Sequence, residues 1–136
     1  MSTTQRWLRG AFHELSPAEC RALLAKKSVG RIAFWTAEGP SVLPVNYVVD
    51  DAGEIRFRTS PYASIAQYAG GAAVAFQVDE VDDFTQSGWS VMARGVAEVV
   101  LGARSKPEPE PWPDGVRSVQ IRVRPESLTG RRVLGH

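Results

Sequence analysis

Phe57-Arg58-Thr59-Ser60, followed closely by Ser64, puts one guanidinium and three hydroxyls within a short stretch. If that stretch is a strand leading into a helix, the chemistry is that of a phosphate site. Unpaired N–H groups and partial positive charge gather at a helix N-terminus, and arginine adds a rigid fork of donors. The same residues also read plainly as a helix start, since Ser-Pro is a common way to begin one. Both readings stand on spacing alone.

Pro44-Val45-Asn46-Tyr47 sets an asparagine inside an otherwise apolar run. A buried amide there must find partners or lose about 1–3 kcal/mol. Its partner is either a neighbouring loop or a ligand edge with both donors and acceptors, such as the pyrimidine edge of a flavin. Gln77, inside the run Val74 to Asp79, admits the same two readings. Gly88-Trp89-Ser90-Val91 places a large aromatic at a strand start, where it covers a planar ring or fills a core or dimer interface.

Other reactive side chains carry little. Cys20 is the only cysteine, lies on the apolar face of a helix and has no histidine at a catalytic spacing. His13 and His136 stand far apart, and no metal-ligand cluster is present. Asp79-Glu80 and Asp82-Asp83 do not have the spacing of a calcium loop and read as a solvated turn. Arg131-Arg132 reads as a surface pair.

The elements that must position these residues follow from periodicity. Ser16-Pro17-Ala18-Glu19 is a capping box with proline at the first helical position, and Leu15 is the staple residue before it. Cys20, Leu23 and Leu24 share one face of a helix ending near Lys27. From Val29 onward, short β-rich runs alternate with turn residues. The expected strands are Val29 to Thr36, Val42 to Val49 and Glu54 to Thr59, forming a meander. A crossing helix over Tyr62 to Ala69 comes next, then strands Ala72 to Asp79 and Trp89 to Leu101, with Asp79 to Asp83 as the loop between them. Val116 to Val123 closes the series. Residues 1–14 read as an arm, 102–115 as a proline-rich surface loop, and 124–136 as a tail.

Composition sets the outer bounds. With 136 residues, 43% of them hydrophobic and 23% charged, the chain reads as one globular domain able to bury roughly two-thirds of its unfolded surface. Sixteen basic residues against fifteen acidic ones create no field that favours nucleic acid or an anionic membrane. No leader pattern and no apolar run of ~20 residues is visible, so the cytoplasm is the expected location.

Val29-Gly30-Arg31-Ile32-Ala33, Pro44 to Asp50, Ile55 to Thr59, Val74 to Asp79 and Gly88 to Gly95 occur in an order that resembles the pyridoxamine 5'-phosphate oxidase-like flavoproteins. That branch also holds the nitroimidazole-resistance proteins. The resemblance spans about Leu15 to Val100. It implies a mainly β fold, a six-stranded antiparallel Greek-key FMN-binding split barrel, paired as a homodimer with FMN in the grooves between subunits. Carried over by position, Pro44, Val45, Asn46 and Tyr47 line the isoalloxazine ring. Arg58, Thr59 and Ser60 approach the phosphate, and Trp89 and Ser90 reach the flavin from the partner subunit.

One departure stands out. Where relatives often carry lysine in the crossover helix, this chain has Ser64. A lost charge-assisted hydrogen bond contributes roughly 1.5–3 kcal/mol, about one to two decades of affinity. The family also includes deazaflavin users, haem binders and members with no cofactor. The leading expectation is an FMN-dependent oxidoreductase acting on an unidentified small molecule. A flavin- or deazaflavin-sequestering protein and a cofactor-free dimeric interaction protein are the alternatives. Arg122, Arg124, Arg131 and Arg132 do not compose the substrate-phosphate site that pyridoxamine phosphate oxidation needs.

Overall fold

The computed structural model describes residues 12–60, 63–100 and 119–134. The proline-rich stretch 102–115, most of the N-terminal arm and the first residues of the expected closing strand lie outside them. A short strand β1 (Phe12–Glu14) leads into helix α1 (Pro17–Lys26). The capping box forms as its residues dictate: the Ser16 hydroxyl accepts from the Glu19 N–H at 3.2 Å, and the Glu19 carboxylate accepts from the Ser16 N–H at 3.0 Å. The helix buries Cys20 and Leu24.

Strand β2 (Val29–Thr36) follows, with Ile32 and Phe34 pointing into the core. Gly30 has no room for a side chain, because a Cβ there would lie 2.3 Å from the Phe76 ring. β2 pairs antiparallel with β3 (Gly39–Asn46), from Val29 opposite Asn46 to Thr36 opposite Gly39.

Here the structure corrects the expected strand Val42 to Val49. It breaks at Tyr47, and the two residues of β4 (Val48–Val49) pair instead with β5 (Ile55–Thr59). Tyr47 causes the break: its N–H donates to the Ser28 carbonyl at 2.9 Å and its hydroxyl to the Leu24 carbonyl. Its ring meets Phe76 edge to face at 4.8 Å. The expected meander of three runs is therefore corrected as well. The sheet order is β3-β2-β6-β7-β8-β5-β4, so its two ends are consecutive in the chain, joined by Tyr47 alone. The antiparallel sheet curls back on itself as a split barrel.

A one-turn helix α2 (Ser64–Tyr68) crosses between β5 and β6 (Ala73–Asp82), burying Ile65. β6 turns into β7 (Ser87–Val100) with Asp82 opposite Ser87. The acidic stretch thus continues the strand to Asp82 rather than looping, since alternation lets its charged side chains leave the core. The Asp82 carboxylate accepts from the N–H groups of Phe84 and Thr85 and fixes the turn.

The expected tail is strand too. β8 (Val119–Val133) pairs with β7 along its length and with β1, because the long β7 offers a ladder that residues 124–133 complete. A bulge at Arg94/Gly95 interrupts that ladder, and a Cβ on Gly95 would lie 2.1 Å from the Arg124 carbonyl oxygen. With the short β1 and β4 included, the described sheet has eight strands rather than six. The core is apolar, built around Phe57, Phe76, Ile32, Ile55, Ile121 and Val91. No helix among the described residues is long and apolar enough to cross a membrane.

Candidate functional site

Residues opposite one another in an antiparallel ladder share a face. Gln77 lies opposite Met92 and Arg31, Asp79 opposite Ser90, and Ser90 opposite Arg131. These side chains stand on the outer face of the sheet, where Gln77, Asp79, Val81, Gly88, Ser90 and Arg131 line an open cleft of about 600 Å3. Arg31 reaches Asp79 at 3.3 Å on its rim. Amide, hydroxyl and guanidinium donors meet amide and carboxylate acceptors, beside the apolar side chains of Val81 and Val133. A planar heteroaromatic edge with alternating donors and acceptors suits such a lining.

Trp89, one residue from Ser90, faces the opposite side. It packs against the core, with the Lys27 ammonium 6.0 Å from its ring centroid, and it borders both the larger cleft and a smaller one shared with Leu23, Lys26 and Arg132. Lys27 also pairs with Glu80 at 3.2 Å and holds that carboxyl below its ordinary range. The two-residue period of the strand thus sends the side chains of Trp89 and Ser90 to opposite sides, although both residues border the larger cleft.

The other expected residues gather at a different place. Asn46 closes β3, two residues before Val48, whose ladder partner is Arg56 on β5. The end of β3 therefore approaches the end of β5 that carries Arg58, Thr59 and Ser60. Asn46 is exposed on an edge strand, so the expected buried amide is corrected: its side chain stands at the surface. Pro44 is exposed and Val45 half-buried. Tyr47 lies in the core, and burial pushes its phenol well above the ordinary range. Thr59 is buried, while Arg58 and Ser60 are half-buried, each with a partner of its own. Ser64 opens α2 and is exposed, but that helix is one turn long and Ala63 supplies no side-chain cap. A single turn carries little of the dipole expected to favour phosphate there.

The outer face of β5 and β8 holds a network that alternation alone did not reveal. Arg56, on the face of β5 opposite Ile55 and Phe57, is buried; its Nε donates to Asp50 at 2.6 Å and its Nη1 to the Gln120 amide oxygen at 2.7 Å. Glu54 lies 3.1 Å from Arg122, which also pairs with Glu98. Burial pushes Asp50 up, but N–H groups of Glu54 and Ala52 and the Arg56 guanidinium outweigh it and hold the carboxyl below its ordinary value. Sequence reasoning also missed Asp79 and Arg131 in the cleft. The Gln77-x-Asp79 alternation was a signal for the first; the second depends on β8 continuing past Val123.

Residues 16–132 match the family model described as pyridoxamine 5'-phosphate oxidase. Rv0080 of Mycobacterium tuberculosis, an uncharacterised protein, is 33% identical over 129 residues, which cover 89% of this chain and 85% of that protein. The structure of the FAD binding protein from Mycobacterium smegmatis is 32% identical, with a TM-score of 0.70 over 90% of this chain and 98% of that one. An FAD-binding protein from Mesorhizobium loti shares the fold at 22% identity and a TM-score of 0.68, covering 89% of this chain and 96% of that one.

Proposed function

Because this chain belongs to the pyridoxamine 5'-phosphate oxidase family, we propose that it is a flavin-binding oxidoreductase holding its cofactor between two copies of itself. One observation carries this reading. The residues suited to a flavin ring edge and those suited to its phosphate form two half-sites on one chain. Ser90 sits beside Gln77 and Asp79, whereas the Arg58 ladder partner Gln120 lies opposite Val100, ten residues further along β7. That is a strand path of roughly 33 Å. A second copy brings the phosphate half-site of one chain to the ring half-site of the other.

The residues fit the group. The cleft is large enough for a tricyclic ring, and Gln77, Ser90 and Arg131 offer polar atoms along one side of it. Arg58 supplies the cation for the phosphate, with Thr59 and Ser60 beside it and Ser64 as a neutral donor. Exposed apolar side chains on β3, Val42 and Leu43, provide surface for the second copy to cover. When bound, a flavin accepts and passes on electrons; the protein orients the ring, tunes it through hydrogen bonds and limits access of water. FMN satisfies both half-sites. The relatives named for FAD support a flavin nucleotide more generally.

The test is subunit complementation. Arg58→Ala and the double variant Gln77→Ala/Ser90→Ala each lose flavin absorbance after desalting. Unfolding and refolding them together restores one of two sites per mixed dimer. A monomeric protein, or a mixture as colourless as its parts while wild type binds flavin, overturns the shared site. Wild type that stays colourless with FMN and FAD overturns flavin binding itself. Oxidation of a reduced nicotinamide donor by the loaded protein separates an oxidoreductase from a sequestering protein.

A further inference from the structure

Beside the ring cleft, the same outer face carries a second depression of about 470 Å3 that no assigned residue explains. Its floor is small and apolar: Ala33 lies opposite Ala75, with Ala73 two residues along. Its wall is Trp35, 70% exposed. Arg94 stands opposite Ala75 at the β7 bulge, and Glu126 lines the same hollow from β8. Among the described residues neither Arg94 nor Glu126 has an ion-pair partner, although they face one depression. Both are ready to engage a third group.

From this placement we infer that the hollow is an adenylate site. The indole offers a stacking face to a purine, and three alanines leave a flat floor for its other side. The Arg94 guanidinium suits a phosphate, and the Glu126 carboxylate accepts from an exocyclic amine. The inference rests on the flavoprotein reading for its biological sense, because adenylate comes there from two sources: the distal half of FAD, or a dinucleotide that donates electrons. The ring cleft and this hollow are close, with Ser90 and Arg94 four residues apart on β7, roughly 13 Å of strand. A single extended dinucleotide reaches across both.

The experiment measures binding of ADP, FMN and FAD to the full-length flavin-free protein and to Arg94→Ala and Trp35→Ala. Arg94 is an exposed side chain, so its variant folds even if the tryptophan variant does not. If the hollow holds the distal half of FAD, FAD binds at least tenfold tighter than FMN, ADP competes with it, and both variants abolish the difference while sparing FMN. If it holds a separate dinucleotide, FAD and FMN bind alike, and ADP binds the FMN-loaded protein about tenfold more weakly in either variant. ADP that fails to bind, or binds all three proteins equally, overturns the site. So does a variant that turns a dimer into a monomer with ADP affinity unchanged, which assigns the hollow to a second copy of the chain. Failure of flavin binding with ADP binding intact sinks the proposed function and leaves the adenylate site standing.

Discussion

Two ends of one sheet face use similar residues in opposite ways. Around β5 and the adjoining stretch of β8, Arg56, Asp50, Gln120, Glu54 and Arg122 turn toward one another and away from water. At the β6–β7 hairpin, Gln77, Asp79, Ser90 and Arg131 stand around an open cleft. Composition barely distinguishes the two groups; packing does. Where polar side chains are closed on each other, their removal is felt as lost stability. Where they line a space, it is felt as lost binding.

Variants can break that contrast. The largest effect is expected from Arg56→Ala, which leaves Asp50 and the Gln120 oxygen buried without their cation and costs about 3–5 kcal/mol in urea unfolding. Gln77→Ala, in the open cleft, is expected to change the same measurement by less than about 0.5 kcal/mol. Equal losses for the two would erase the distinction. Next comes Arg58→Ala, expected to weaken flavin binding roughly ten- to a hundredfold in a fluorescence titration, the scale of a charge-assisted contact.

Tyr47→Phe sharpens the boundary between core and site. It removes one buried hydrogen bond to the Leu24 carbonyl and is expected to cost about 1 kcal/mol in thermal unfolding while flavin affinity stays constant. A loss of affinity without a loss of stability would return Tyr47 to the ring site. The smallest effect is on pH dependence. Asp50 titrates lower in the folded chain than in the unfolded one, so its contribution is fully present above the ordinary carboxylate value of about 4 and is lost as pH falls below it. Unfolding free energy followed from pH 7 down to about 3 is expected to decline more gently in Arg56→Ala than in wild type.

The comparison also explains which features were legible beforehand. The capping box at Ser16 and Glu19 was readable because its partners lie three residues apart, within one turn. β2 and β5 were readable because their apolar alternation reports a buried face. The burial of Arg56 was not, since its partners are Asp50 across a turn and Gln120, 64 positions away. Trp89 and Ser90 are neighbours in the chain and both border the larger cleft, but which face each side chain takes follows from the strand.

What the amino-acid order determined alone is whatever depends on near neighbours: the helix and its cap, the β character of most of the chain, and the family's ordered motifs. Tertiary structure decided where Tyr47 breaks the sheet, that β8 runs to Val133, and that Ser90 and the Arg58 ladder partner Gln120 lie toward opposite ends of β7. Those outcomes depend on ladders between residues tens of positions apart. A local pattern shows which residues can pair, but the choice of partner is made by the closure of the whole sheet around one core.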